Sequence, residues 1–300
     1  MNSVFLSTLS VLSLEAAIGA GFLVAIKIFR QPDPDKYKEI GLKLVILILI
    51  IAAFLGVSLL GLWGLIPAVL LLAYLGWQEL LQGLPQNEEI LLPKTLGLLG
   101  AFAGLSGLGR TSGEVLLGVM MVTWIAIALP IIVFRRPPAL HQTFVTAFAM
   151  LVISLPLALL LKLGITTMSA FLFITTIVML NDGFSEACGR VFGKTPLCPE
   201  ISPNKTVEGM LGGLAFSLVS AYLLRSLLID WQTWQILVMT ASISFLSLIG
   251  DLLFSSLKRA MGIKDFSQVL AVTGGILDKF DGLLFSIPVF YFIVSYHRGL

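Results

Sequence analysis

Residues 44–80 read LVILILIIAAFLGVSLLGLWGLIPAVLLLAYLGWQEL, and positions 44–78 contain no Asp, Glu, Lys, Arg or His. About 20 apolar residues in a helix cross a bilayer, so this stretch is long enough for two crossings. Similar runs recur along the chain, which is 57% hydrophobic and only 12% charged. A soluble domain carries about 25% charged residues. The strands of a membrane barrel would alternate apolar and polar residues, so the sequence predicts an all-α, polytopic integral membrane protein.

The apolar runs predict about nine to ten transmembrane helices, with the shorter runs also compatible with tilted or half-length helices. The first run is longer than the apolar core of a signal peptide and is expected to be a retained helix. We divide the chain into N-terminal transmembrane helices at 1–134 and a C-terminal transmembrane region at 135–300, which contains the motifs described below. The predicted helices lie at roughly 3–29, 44–60, 62–80, 92–107, 115–134, 143–161, 165–180, 207–224, 234–250 and 282–296.

The Lys and Arg residues predict the orientation of these helices in the membrane. If the loop at 30–43 is cytoplasmic, alternation places fifteen Lys and Arg residues inside and four outside. This bias favours both termini outside and two long polar loops, 181–206 and 251–281, in the cytoplasm. A site facing the cytoplasm suits an enzyme that uses a soluble reagent. Since the N-terminus has no transit-like basic region, we expect a bacterial inner membrane.

Composition also excludes some partners and metals. The net charge of +2 is too small, and the basic residues too scattered, for a nucleic-acid-binding protein. Two cysteines and two histidines provide no zinc ligand set, so any metal must be held by oxygen. Cys188 and Cys198 are expected to be free thiols, because their loop is predicted to face a reducing compartment. Glu15, within the first predicted helix, is either a functional group or a paired or protonated one. A glycine stripe is interpreted as a helix-packing surface: Gly97, Gly100, Gly104 and Gly107.

The loop at 251–281 has an unusually high density of charge for so apolar a chain. If the preceding helix continues past Gly250, Asp251, Ser255 and Lys258 share one of its faces. Asp278 and Asp281, three residues apart, would likewise share a face. Two carboxylates on one face and a third on another element suit Mg²⁺, which keeps several waters and takes phosphate oxygens. The alternative is that these are ordinary loop charges paired at the membrane surface.

The same loop contains groups suited to anions. Thr273-Gly274-Gly275 is predicted to be a flexible turn whose backbone amides approach an anion closely. Three cations are placed to offset phosphate charge: Lys258, Arg259 and Lys264.

The loop at 181–206 repeats the combination of acidic and phosphate-binding groups. Asn181 and Asp182 follow directly on a predicted helix, and Gly189, Arg190, Gly193 and Lys194 are expected to form a basic turn. Thr206 is a candidate N-cap for the next helix, with Glu208 in its first turn. Free amides at that helix start, with Ser202 and Lys205 nearby, suit a phosphate, although the same residues also make a simple cap.

Two segments resemble a known family. Residues 255–281, SSLKRAMGIKDFSQVLAVTGGILDKFD, resemble the C-terminal signature of the phosphatidate cytidylyltransferases, or CDP-diacylglycerol synthases. Residues 189–209, GRVFGKTPLCPEISPNKTVEG, are similar to that family's Gly-Arg, Gly-Lys and Ser-Pro-x-Lys-Thr-x-Glu-Gly run. The N-terminal half matches only in being a string of helices.

The resemblance implies transfer of CMP from CTP to phosphatidic acid, with release of pyrophosphate. It also implies Mg²⁺, with a second cation, and a homodimer in contact with membrane lipids. Asp251, Asp278 and Asp281 would be metal ligands and, with Lys258 and Arg259, the catalytic residues. The substrate-binding residues would be Ser202, Lys205, Thr206, Asp182, Arg190, Lys264, Asp265, Gly274 and Gly275.

Three departures from the family pattern leave the substrate open. Thr273 stands in place of His, Lys279 in place of Arg, and Ser185-Glu186 in place of Ala-Tyr. The alternatives are a CTP-dependent kinase or cytidylyltransferase acting on another lipid phosphate or an isoprenoid alcohol, a lipid transporter, and a scaffold protein. A transporter would place its polar residues near the bilayer midplane, whereas here they lie in loops on one side.

Overall fold

The computed structural model describes residues 34–83, 93–134, 140–267 and 274–298, with the single positions 9, 13, 20 and 21. The predicted helix at 3–29, with Glu15, and the family position Thr273 therefore lie outside the described residues. Within them the chain is helical apart from turns and one short β-hairpin. The helices are α1 (Pro34–Leu60), α2 (Leu62–Gln82), α3 (Pro93–Gly104), α4 (Ser112–Phe134), α5 (Leu140–Ala149), α6 (Leu155–Thr166), α7 (Met168–Phe192), α8 (Val207–Leu223), α9 (Thr233–Ala260) and α10 (Ile276–Arg298).

Six of the described helical segments are long and apolar enough to cross a membrane: 41–60, 62–82, 143–166, 168–192, 207–227 and 233–260. Two shorter apolar segments lie at 95–108 and 112–128. A π-helical turn, Met150–Ser154, joins α5 to α6 just before Pro156, which has no N–H to continue the regular ladder. These features confirm the predicted class, a polytopic helical membrane protein.

Four helix ends differ from the predictions in the same way, and the first is that of α1, which begins at Pro34 rather than 44. Helix α7 runs to Phe192 rather than 180, α9 runs to Ala260 rather than 250, and α10 begins at Ile276 rather than 282. The predicted ends followed the change from apolar to polar sequence, but a polar segment in water continues a helix when its residues favour one. Residues 251–260 and 276–281 of the loop predicted at 251–281 are therefore helical, and Asp278 and Asp281 lie in a helix.

The chain forms two compact units, each made of two segments. Unit 1 contains residues 1–56 and 169–256, and unit 2 contains residues 57–168 and 257–300. These units are defined by internal contacts and not by function, so the division at 134/135 stays a prediction.

In unit 1, helices α7 and α8 pack closely. The rings of Phe184 and Phe216 are stacked with centroids 4.1 Å apart, and Ser217 donates to Asn181 across 3.2 Å. A Cβ on Gly209 would lie 2.7 Å from the Ser185 carbonyl oxygen, so glycine permits this approach. The packing fixes the start of α8, where several predicted site residues lie.

In unit 2, α2, α3, α6 and α10 surround a core that includes the fully buried Trp77. The indole N–H of Trp77 donates to Ser154 at 2.9 Å, and Ser154 donates to the carbonyl oxygen of Gly100 at 2.9 Å. A Cβ on Gly104 or Gly107 would lie 3.2 Å from Val69 or 2.9 Å from Leu161. The glycine stripe is therefore a packing surface, as predicted.

Candidate functional site

In unit 1 a β-hairpin leads into α8. Strands β1 (Pro196–Cys198) and β2 (Ser202–Thr206) are antiparallel, with Cys198 opposite Ser202. The Thr206 side chain accepts a hydrogen bond from the Gly209 N–H at 3.1 Å, which confirms the predicted N-cap. Glu208 accepts the N–H groups of Lys194 and Thr195 at 3.0 and 3.1 Å, which ties the hairpin to the helix. Both cysteines are free, as predicted.

Lys205 and Asp251 form an ion pair in unit 1. Lys205 is the penultimate residue of β2, and its ammonium group donates to Oδ2 of Asp251 on α9. Ser255, one turn later on α9, donates to Oδ1 of Asp251 at 3.3 Å, so the two side chains share a helix face as expected. Ser202 lies three residues before Lys205 on the same strand and is half-buried. A strand and a helix thus bring together two predicted site residues that are 46 residues apart.

Arg190 lies in the last turn of α7, not in the basic turn that the sequence suggested. Its guanidinium donates to Glu186 at 2.7 Å and to Glu39 at 2.9 Å, and Lys43 contacts the same two carboxylates at 2.7 and 3.2 Å. The hydrogen bond from Arg190 lowers the pKa of Glu39 below its ordinary value. The i,i+4 pair with Glu186 supports the extra helical turns. The half-buried Asp182 also lies on α7.

In unit 2, Lys258 and Asp278 form a second ion pair. Lys258 donates to Oδ1 of Asp278 at 2.5 Å. Oδ2 of Asp278 accepts the N–H groups of Phe266 and Gly275 at 3.0 and 2.8 Å. The Lys258 ammonium also lies 5.6 Å from the centre of the Phe266 ring. One carboxylate therefore connects the end of α9, the segment after it and the start of α10.

The end of α9 positions its cations. Gly262 has φ of +71°, and hydrogen bonds run from the N–H of Ile263 to Lys258 and from that of Gly262 to Arg259. This pattern is a Schellman motif, which requires a left-handed residue after the helix. Arg259 is exposed, as are Lys264 and Asp265, and among the described residues the last two have no side-chain hydrogen bond or ion pair.

Sequence reasoning missed Glu79. This α2 residue is only 4% exposed, and its carboxylate accepts the N–H groups of Ile276 and Leu277 at 2.8 and 2.7 Å. The Ser267 hydroxyl also donates to it, at 2.5 Å. The available signal was an ionisable residue directly after the uncharged run 44–78. Because Glu79 lies at the end of the predicted helix 62–80, where a charged residue is common, it was not singled out as a candidate.

The two glycines of the predicted anion-binding turn approach carboxylates of the protein itself. Gly274 has φ of +87°, and the N–H of Gly275 is bonded to Asp278. A Cβ on Gly275 would lie 2.6 Å from a Glu79 oxygen. Asp281 is buried one turn after Asp278, and its Oδ1 accepts the N–H of Gly282 at 2.6 Å.

The donor chemistry tests the predicted magnesium ligands. Among the described residues no three His, Cys, Asp or Glu side chains are grouped closely enough to hold a metal. Mg²⁺, however, needs only one or two carboxylates besides water and phosphate oxygens. Asp251 fits, because its part-exposed carboxylate has one oxygen that accepts only a 3.3 Å hydroxyl bond. Asp278 is engaged through both oxygens and would have to release Lys258. The three-aspartate site stays a prediction.

Comparison with known proteins supports the resemblance. A profile of the cytidylyltransferase family matches residues 42–297. A phosphatidate cytidylyltransferase of Aquifex aeolicus is 42% identical over 157 residues, which is 52% of this chain and 58% of that protein. One from Staphylococcus saprophyticus is 42% identical over 120 residues, 39% of this chain and 46% of that protein. The uncharacterized protein YnbB of Escherichia coli is 33% identical over 125 residues, 42% of each chain. The chain thus spans about half the length of these relatives.

Proposed function

Because the chain belongs to the cytidylyltransferase family, we propose that it transfers CMP from CTP to phosphatidic acid. The observation that carries this proposal is the enclosed Lys258–Asp278 ion pair, whose two residues both belong to the segment 255–281 that resembles the family signature. An anionic substrate can exchange places with the carboxylate that a lysine now contacts. The names of the Aquifex and Staphylococcus relatives, both phosphatidate cytidylyltransferases, support the same substrate.

The reaction forms one phosphorus–oxygen bond and breaks another. A phosphate oxygen of phosphatidic acid attacks the α-phosphorus of CTP, and the bond from that phosphorus to the bridging oxygen breaks. CDP-diacylglycerol and pyrophosphate are the products. Little covalent chemistry is left to the protein, so positioning and electrostatic stabilisation supply most of the catalysis.

The residues of unit 1 are proposed to bind phosphate groups. Lys205 and Ser202 lie beside the capped start of α8, where a cation, a hydroxyl and the positive helix end favour an anion. Thr206, Asp182 and Arg190 complete the substrate-binding residues proposed for this unit.

The residues of unit 2 are proposed to offset charge on the triphosphate. Lys258 and Arg259 end α9, and Lys264 and Asp265 are exposed just beyond it. Gly274 and Gly275 are proposed to present backbone amides to the substrate. In the absence of substrate, the negative charge of Asp278 offsets the positive charge of Lys258. This pairing stabilises the buried ammonium group until a phosphate group of the substrate takes the place of the carboxylate.

Mg²⁺ is the proposed cofactor, and a second cation is proposed from the resemblance. Of the carboxylates suggested for it, Asp251 would hold the ion most directly, with Asp278 and Asp281 as the further ligands suggested by the resemblance. When bound, it would supply positive charge against the charge that develops on the phosphates.

We also propose a bacterial inner membrane location, a site that faces the cytoplasm and a homodimer. The apolar helices support membrane integration, and the fifteen-to-four distribution of Lys and Arg supports the orientation. The relatives from bacteria agree with the location, whereas the homodimer rests on the resemblance alone.

Pyrophosphate release tests the proposed reaction. The full chain in detergent micelles is supplied with CTP, Mg²⁺ and phosphatidic acid, and a lipid-free sample is the control. We expect pyrophosphate and CDP-diacylglycerol in equal amounts, only with lipid. Release of CDP instead would establish kinase chemistry. Binding of CTP without any lipid-dependent product would contradict phosphatidic acid as the substrate and direct attention to the departures at Thr273 and Lys279.

A further inference from the structure

Glu79 on α2 is the main polar feature near the site that the proposed reaction does not use. It is 4% exposed and accepts three hydrogen bonds, from Ser267, Ile276 and Leu277, across nearly 200 residues of sequence. A buried carboxylate needs such donors, because an unpaired charge in an apolar interior is very unfavourable. The placement of these donors therefore shows what the carboxylate does.

A glycine, Gly275, precedes helix α10 at the N-cap position, where a capping side chain is normally found. The first N–H groups of a helix have no partner within the helix, and Ser, Thr, Asp or Asn at the N-cap usually accepts one of them. Gly275 has no side chain for this purpose. Glu79 accepts the N–H groups of Ile276 and Leu277 instead, so a different helix supplies the cap.

Asp278 completes the cap from the other side. It is the third residue of α10, and it accepts the N–H of Gly275 at 2.8 Å, the return bond of a capping box. The two carboxylates thus bind three successive N–H groups, those of Gly275, Ile276 and Leu277. The positive end of the α10 dipole favours both negative charges.

Gly275 is the contact point between the two carboxylates. A Cβ there would lie 2.6 Å from a Glu79 oxygen, so only glycine allows the carboxylate to approach the helix end. The Ser267 hydroxyl donates to Glu79, and the backbone N–H of the neighbouring Phe266 donates to Asp278. The two carboxylates are therefore bound by adjacent residues twice, at Phe266 and Ser267 and again at Gly275 and Ile276.

We propose that Glu79 is a positioning residue for nucleotidyl transfer. It touches no reacting atom; it holds the start of α10 so that Asp278 is oriented toward Lys258. This role rests on the proposed function, in which Asp278 and Lys258 belong to the reacting site. Displacing a catalytic group by about 1 Å from its working position can lower the reaction rate by up to about 100-fold.

The test uses the full chain in micelles and three variants. Glu79→Gln is isosteric but replaces one acceptor oxygen with a donor, and Glu79→Asp keeps the charge on a shorter side chain. Glu114→Gln is the matched control. Glu114 is exposed in the same unit and accepts the Arg110 N–H at the start of α4. We measure kcat and KM for both substrates, the melting temperature, and hydrogen exchange of residues 274–278.

Glu79→Gln should lower kcat between about 10-fold and 100-fold, change KM for CTP less than about threefold, and raise exchange at 274–278. Glu79→Asp should recover part of kcat, and Glu114→Gln should match the wild type. Faster exchange with unchanged kcat would overturn the positioning role and leave a helix cap alone. If Glu79→Gln does not fold, Glu79→Asp provides the test. A kcat equal to that of the wild type in Glu79→Asp, whose side chain is shorter, would also contradict the positioning role.

The two proposals fail in different ways. Wild-type protein that releases no pyrophosphate would contradict the proposed reaction, whereas the exchange measurement needs no substrate. Unchanged exchange in Glu79→Gln would overturn the cap itself, whether or not the protein is active.

Discussion

Lys258 on α9 donates a 2.5 Å hydrogen bond to Asp278 on α10, and the two side chains expose only 11% and 5% of their surface. An ion pair this enclosed is poorly screened by water and salt. Removing one partner leaves the other charge buried without compensation, which costs about 3–5 kcal/mol. The pair should therefore affect both folding and turnover, and variants can separate the two effects.

Asp278→Asn should lower CMP transfer about 100-fold or more, because it removes a charge from the proposed reacting site. Pyrophosphate release under saturating CTP and lipid measures this effect. Asp230→Asn is the control, since Asp230 is exposed and far from the motifs in sequence. Equal turnover by Asp278→Asn and Asp230→Asn would contradict the role of Asp278.

The double variant Lys258→Met, Asp278→Asn should separate stability from activity. Removing both charges leaves no uncompensated ammonium group, so the melting temperature should rise above that of Asp278→Asn alone. Transfer should stay low, because both proposed site residues are absent. Recovery of transfer together with stability would mean that the pair only supports the fold.

Thr206→Ala should destabilise the protein by about 1 kcal/mol, because the start of α8 loses its capping bond to Gly209. Thr206→Ser keeps the hydroxyl and should stay close to the wild type. Thermal unfolding in detergent compares the three proteins. Equal melting temperatures for the alanine and serine variants would show that the cap contributes nothing measurable.

Glu39→Gln should lower stability at neutral pH but not in acid. The Arg190 hydrogen bond lowers the pKa of Glu39, so its stabilising contribution is fully present above the ordinary Glu pKa of about 4.3. The contribution is lost as the pH falls through the lower pKa of the folded protein. Because Glu39 is 39% exposed, the effect should not exceed about 1 kcal/mol and should shrink in high salt.

Melting temperatures of the wild type and Glu39→Gln at pH 7 and below pH 4 measure this difference. The exposed Glu200, on the turn between β1 and β2, provides the control Glu200→Gln. A difference between wild type and Glu39→Gln that persists or grows in acid would contradict the ion-pair explanation.

Gly275→Ala should lower turnover about tenfold, because the new Cβ would displace the Glu79 carboxylate from the helix end. Gly113→Ala is the control on α4, where the nearest atom would be 3.8 Å away. Gly113 is the second residue of α4 and has space for a Cβ, so the control should be close to neutral. Wild-type turnover in Gly275→Ala would contradict the need for this close approach.

The sequence was sufficient for the helices and the motif positions but not for the pairings. Apolar runs located the spans because the length needed to cross a bilayer is fixed. The predicted ends of α1, α7, α9 and α10 were wrong, since a helix does not have to end where its sequence becomes polar. The Glu79 bond to Ile276 joins residues 197 positions apart, and no local pattern encodes such a contact.

The continuity of α9 also relates the site to the thickness of the membrane. Its residues 233–250 are uncharged and span about 27 Å, close to the roughly 30 Å hydrocarbon core. Asp251 is the first charged residue of α9 after this stretch, so we expect it to lie near the hydrocarbon boundary. Hydrophobic mismatch would tilt this helix or draw its charges toward the acyl chains. Under the proposed function, we therefore expect the chain length of the host lipids to affect turnover, independent of the lipid that reacts.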